Sequence, residues 1–175
     1  SQGVFALNLA KKSGKDSLIL CEGYMDVIAL HQAGFTNAVA GLGTALTSEQ
    51  AQLLSRYASE ILISYDADEA GQKAAARALT IFKNTTAKIK VLRLSGGKDP
   101  DEIIKNCGIE KMKTLIKEAE NKVDFILRHE RNKYDLATDD GKIQYIKEAV
   151  KVISGLNGIE LEIYASRLAD EFSVS

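Results

Sequence analysis

At 175 residues, with 45% hydrophobic and 27% charged side chains, the chain can bury a sizeable core and reads as a globular domain with an appendage. No run approaches the roughly 18 apolar residues of a membrane span and no signal-peptide pattern opens the chain, so a cytoplasmic setting without a membrane partner is expected. The formal net charge of −1 is evenly spread, with 11 Lys+Arg against 11 Asp+Glu over residues 1–104 and 12 against 13 over 105–175, which argues against a free-standing nucleic-acid binder.

In chain order, residues 4–12 read as a leading helix. The apolar run Leu18-Ile19-Leu20-Cys21 is a buried strand that stops at Glu22-Gly23, with Gly23 expected to permit a sharp turn, and a helix follows from Tyr24 to Gly34. Ala38-Val39-Ala40 is a second strand. Gly41-Leu42-Gly43-Thr44 leads to Thr47 and Gln50, a capping-box pair for a helix to about Tyr57. Ile61-Leu62-Ile63 is the third strand, followed by Asp66, Asp68 and Glu69 and a helix from Ala70 to Phe82. Ile89 to Leu92 is the fourth, and beyond it Asp99, Pro100 and Glu102 form a well-made helix start. A bridging helix near residues 111–119 and three amphipathic helices, 123–134, 142–156 and 159–172, complete the pattern, with breaks at Asp139-Asp140-Gly141 and Asn157-Gly158. Their expected core holds Phe125, Ile126, Ile143, Ile146, Val150, Ile153, Leu161, Tyr164, Leu168 and Phe172.

The expected architecture is therefore α/β, a mostly parallel four-stranded sheet with flanking helices over residues 1–120, followed by a small three-helix bundle over 121–175. Ligands of open α/β sheets sit beyond the carboxyl ends of the strands, where Glu22, Asp66 and Asp68 fall. One acid is enough for a helix cap. Asp66, Asp68 and Glu69, three within four positions, exceed that need, and crowded carboxylates repel unless a cation relieves them. Their hard oxygens suit Mg²⁺ or Mn²⁺, and two such ions can clamp an in-line phosphoryl transfer. Of the positive groups near this edge, Lys73 and Arg77 read as solvated helix-face charges, and Lys98 reads equally as such a charge or as a group that meets nucleotide phosphates. Cys21 and Cys107 lack metal-ligand spacing and are expected to be reduced and structural, while His31 and His129 are expected at surface or packing positions.

The runs EGYMDVIAL from Glu22, LGTALT from Leu42, DADEAG from Asp66 and GGKDPDEII from Gly96 resemble the toprim domain of bacterial replicative primases of the DnaG type. Glu plus Asp-x-Asp alone indicates only toprim, shared with topoisomerases and nucleases; the EGYMD and KDPD blocks narrow it to primases. The resemblance implies DNA-directed synthesis of short RNA primers from ribonucleoside triphosphates on single-stranded DNA. It implies that Glu22 is a general acid/base and metal-site organiser, that Asp66 and Asp68 bind metal with Asp99 and Asp101, and that Asp26, Gly23 and Lys98 support them. Two or more Mg²⁺ or Mn²⁺ ions are implied here, with zinc only in a preceding module. It further implies a preceding basic subdomain that grips DNA and a replicative helicase bound through a region beyond this chain, so that residues 1–175 alone are expected to be inactive. Ala67 departs from the glycine common between the two aspartates. The rivals are a phage-type helicase-primase, a toprim nuclease and, more remotely, an acidic receiver-like module.

Overall fold

The computed structural model describes residues 3–42 and 45–173; Gly43 and Thr44 of the first glycine-bearing loop lie outside the described residues. Among those described, the sheet has the strand order β1-β3-β2-β4-β5-β6, with β1 Val4–Phe5, β2 Ser17–Cys21, β3 Ala38–Gly41, β4 Glu60–Ser64, β5 Lys88–Val91 and β6 Glu120–Asn121. The four central strands run parallel. The two-residue strands β1 and β6 pair antiparallel at the edges, so the sheet is wider than the sequence pattern indicates. Residues 4–12 are accordingly not one helix: Val4–Phe5 pair with β3, and only Leu7–Ala10 (α1) and a 3₁₀ turn at Lys11–Ser13 are helical. Ala6, at φ 62°, breaks the run.

Strands β2, β3 and β4 are buried on both faces, as parallel strands covered by crossover helices must be, while β5 is only partly covered, with Val91 buried and Lys88 exposed. Helix α2 (Tyr24–Gln32) links β2 to β3, α3 (Ser48–Ser55) links β3 to β4, and α4 (Glu69–Phe82) links β4 to β5. One face packs Ile19, Cys21 and Leu62 against Val27 and Leu30 of α2, Ile103 of α5 (Pro100–Cys107) and Met112 and Leu115 of α6 (Ile109–Lys117). By strand alternation the buried Leu18, Leu20, Ile61 and Ile63 belong to the opposite face. Register then places the functional edge: Cys21 pairs with Ser64, so the acids after β2 and those after β4 leave the sheet side by side.

The chain divides into two compact units, Ser1–Lys122 and Val123–Ser175. The second contains α7 (Lys122–Arg131) with α8 (Asp139–Ile153) and α9 (Gly158–Phe172). Asp139-Asp140-Gly141 is not a break, because Thr138 caps α8 by accepting the Gly141 N–H at 3.0 Å and the two acids occupy the first turn, where the helix dipole favours them. The buried centre is Leu127, Tyr145, Ala149, Ile153 and Tyr164. Ile143 and Val150, expected inside, are half exposed (50% and 51%), since Tyr145, Ala149 and Ile153 define the inward stripe of α8. Exposed ion pairs, Arg131 with Glu171 and Arg167 with Asp124, join α7 to α9 at little energetic value. Among the described residues no helix is long and apolar enough to cross a membrane.

Candidate functional site

Glu22 follows β2 directly and is exposed, and its Oε2 accepts the backbone N–H of Asp66 at 3.2 Å. This bond fastens the loop after β2 to the loop after β4. A second bond, from Ala67 N–H to the Lys98 carbonyl at 2.8 Å, fastens the latter to the loop after β5. Three loops separated in sequence are thereby held at one edge. Ala67 has no left-handed backbone, so the alanine between the aspartates fits its turn.

Asp68 is the N-cap of α4, its Oδ1 accepting the Gly71 N–H at 2.7 Å. Asp99 caps α5 through the Glu102 N–H at 2.8 Å, and Glu102 answers with an Oε2 that accepts the Lys98 N–H at 2.8 Å. Both aspartates therefore act as caps, and a cap uses only part of a carboxylate's accepting capacity. Asp101 is diverted, its Oδ2 lying 2.6 Å from the Lys105 Nζ one turn on. Lys73 is occupied in the same way by Glu69 at 2.6 Å. Gly23 does not supply the expected turn: its φ of −124° is extended backbone open to any residue, and an added Cβ would meet only Asp26 Oδ2 at 3.7 Å.

The strongest electrostatic evidence concerns Asp66 and Asp26. Asp66 is pushed up from its ordinary 3.8 to about 6 by burial and then by the charges of Glu22, Asp99 and Asp68, with Lys98 pulling the other way. Asp26 rises to about 6 through burial and the charges of Asp99 and Asp66, although backbone N–H groups of Gly23 and Asp101 donate to it. Asp26 is thus a buried tie between the start of α2 and the start of α5, a larger part than its position four residues past Glu22 discloses. Burial, and then the charges of Asp26 and Asp66, hold the Cys21 thiol well above its ordinary value; both cysteines are free. His31 bonds the Ala38 carbonyl at 2.9 Å and His129 stacks on Phe125, both packing roles.

Asp66 therefore feels the charges of Glu22, Asp99 and Asp68, and the buried Asp26 those of Asp99 and Asp66. Among the described residues no three Asp, Glu, His or Cys side chains already stand as a closed ligand set for a metal ion. The donors nonetheless suit a hard divalent cation in kind, and their mutual repulsion is what such an ion relieves.

A family model described as Toprim-like matches residues 19–104, and one described as the DnaB-helicase binding domain of primase matches 123–175. The second match falls inside the chain, at residues 123–175, whereas the resemblance implies a helicase-binding region beyond it. The DNA primase of Clostridium acetobutylicum is 39% identical over 172 residues, covering 98% of this chain and 29% of that protein. The DNA primase of Campylobacter jejuni is 34% identical over 172 residues, covering 97% and 28%. Among solved structures, the E. coli primase catalytic core aligns with a TM-score of 0.75 at 31% identity over 99% of this chain and 57% of that one. A DnaG primase catalytic domain bound to single-stranded DNA gives 0.76 at 28% identity over 99% and 56%. The chain thus spans under a third of these curated relatives. The nuclease and helicase-primase alternatives are not favoured by these likenesses.

Proposed function

We propose, for a chain that belongs to the DnaG-type family of bacterial DNA primases, that its acidic edge carries out nucleotidyl transfer in the synthesis of short RNA primers. The observation that carries this reading is the bond from Asp66 N–H to Glu22, with Asp66 raised by burial and then by the surrounding carboxylates. Glu22, Asp66 and Asp68 would hold Mg²⁺ or Mn²⁺, with Asp99 and Asp101 in support, and the ions would supply charge neutralisation for an in-line displacement. Glu22, exposed but anchored through Oε2, would accept the proton of an attacking hydroxyl. Asp68 and Asp99, fixed as helix caps, need no reordering before they bind. Asp26 positions the edge from below. The relative solved with single-stranded DNA supports a DNA template as partner, ribonucleoside triphosphates follow from the reaction, and the match over residues 123–175 supports helicase contact through the second unit.

Two outcomes are expected. Asp26 and Asp66 bind more protons folded than unfolded between about pH 4 and about pH 6, so their contribution to metal-free stability is full below about pH 4 and is lost as pH rises through about 6. Mn²⁺ should therefore raise the melting temperature at about pH 7.5, adding about 2.7 kcal/mol of stability at about 100 times Kd, and raise it less at about pH 5, where protons compete. Unchanged melting at both pH values, together with unbroadened signals from Glu22 and Asp66, would refute the site. The second outcome concerns residues 1–175 by themselves. With positive and negative charge balanced, they should bind single-stranded DNA weakly, lose it at physiological salt and make no primers, as gel-shift and primer assays would report. Tight, salt-resistant binding would contradict this.

A further inference from the structure

The turn that carries Asp66 and Asp68 is braced by groups from outside it, and one of them is not an acid. Asp66 N–H donates to Glu22 Oε2 at 3.2 Å, and Ala67 N–H donates to the Lys98 carbonyl at 2.8 Å. The Asp66–Ala67 peptide is trans, so the Asp66 carbonyl points away from Lys98. It lies against the first turn of α4, where position 71 has no side chain to occupy the space. Among the described residues no backbone N–H donates to that carbonyl. Its partner is the side chain of the half-buried Gln72, whose Nε2 donates to it at 3.1 Å. The Gln72 backbone N–H donates in turn to the Asp68 carbonyl at 3.0 Å, so one residue of α4 holds both aspartates of the turn.

A peptide group is planar, so fixing its two polar ends fixes its plane. The unit between Asp66 and Ala67 is held at both ends, its N–H by the loop after β5 and its C=O by Gln72, while the unit before it is held by Glu22 through the Asp66 N–H. Planes anchored on both sides of the Asp66 Cα set the backbone angles there, and with them the direction in which the carboxylate leaves the chain. Of the two groups that hold the Asp66–Ala67 unit, Lys98 belongs to a loop and Gln72 to a 14-residue helix. We propose that Gln72 is a positioning residue of the acidic edge: it ties the Asp66–Ala67 peptide to α4 and so fixes the direction in which the Asp66 carboxylate is offered to a divalent cation. The proposal rests on reading the Glu22 edge as metal-binding. A neutral amide suits the task, because it donates the bond without bringing a positive charge to compete with the ion.

The test compares the 175-residue chain with two variants. Gln72→Met removes the donor at similar length and keeps a good helix former, and Gln72→Arg restores an N–H donor. In the metal-free chain the amide signals of Asp66 and Ala67 should shift and exchange faster with solvent in Gln72→Met, and return toward the parent's in Gln72→Arg. With Mn²⁺ alone as the probe, Gln72→Met should bind at least about tenfold more weakly at an unchanged metal-free melting temperature, the loss that removal of an outer partner of a metal ligand causes. Gln72→Arg should bind more tightly than Gln72→Met, whereas charge alone gives the reverse order, because a guanidinium repels the ion. Parent-like amide signals and Mn²⁺ affinity in Gln72→Met would overturn the proposal, as would Gln72→Arg binding no better than Gln72→Met. A lowered melting temperature with signals displaced along the whole of α4 would also overturn it, by making Gln72 a packing residue. A parent chain that takes up no Mn²⁺ would instead count against the acidic edge itself, and the role of Gln72 would fall with it.

Discussion

Replacing Asp68 by Asn in the complete polypeptide is expected to reduce primer synthesis by roughly 100-fold or more with the melting temperature nearly unchanged, because even groups outside a metal's own ligand set cost 10–100-fold when removed. The argument turns on separating two duties of one side chain. As the N-cap of α4, Asp68 accepts the Gly71 N–H through Oδ1 at 2.7 Å, and Asn caps as well as Asp through the same oxygen. Loss of the negative charge forfeits a small dipole interaction at the helix start but also relieves Asp66, whose carboxyl Asp68 helps to push up. Stability is therefore close to balanced. The duty that Asn cannot perform is charge neutralisation of a divalent cation. Near-normal primer yield from a well-folded variant would reduce Asp68 to a cap and shift the metal function to its neighbours. Asp68→Ala separates the duties further, since it alone should also lose about 1 kcal/mol of helix capping.

The acids of this edge were legible in the sequence because they lie in the segments that leave the strands: Glu22 directly after β2, Asp66 and Asp68 just after β4, Asp99 at the far end of the loop after β5. Where local pattern and tertiary position coincide, reading one gives the other. The same holds for the caps, since the Thr47–Gln50 box and the Asp99–Glu102 pair are written three residues apart and form as written. Asp26 was harder. Its burial and its tie to the Asp101 N–H depend on packing α5 against α2, which no local window contains. The edge strands β1 and β6 escaped because two residues cannot show a period. The inward stripe of α8 was mis-phased because branched aliphatics are weighted as core, while Ala149 and Tyr145 fill the space that the neighbouring helices leave.

Gly71→Ala should be the most damaging small change in the first unit. Taken as helix chemistry the substitution is favourable, because alanine in a helix is worth about 1 kcal/mol over glycine. The site reverses the sign. A Cβ at Gly71 would overlap the Asp66 carbonyl oxygen and stand 2.7 Å from its carbon and 2.9 Å from its Cα, and all three are backbone atoms that cannot swing aside as a side chain does. Relief requires moving the turn from Asp66 to Asp68 away from α4. Overpacking of this kind costs about 1–3 kcal/mol and occasionally more, so it exceeds the propensity gain. The displaced carbonyl accepts the Gln72 Nε2–H at 3.1 Å, and the N–H of the same residue holds Glu22. The change should therefore lower the melting temperature and weaken Mn²⁺ binding together. Gly158→Ala is the control: it lies in the first turn of α9, where an added Cβ meets nothing within 4 Å, and should be neutral or stabilising. Thermal melts of both variants, with and without Mn²⁺, decide the matter: equal behaviour of the two would mean that the turn yields freely and that the closeness of Gly71 to Asp66 does not hold the acids in place.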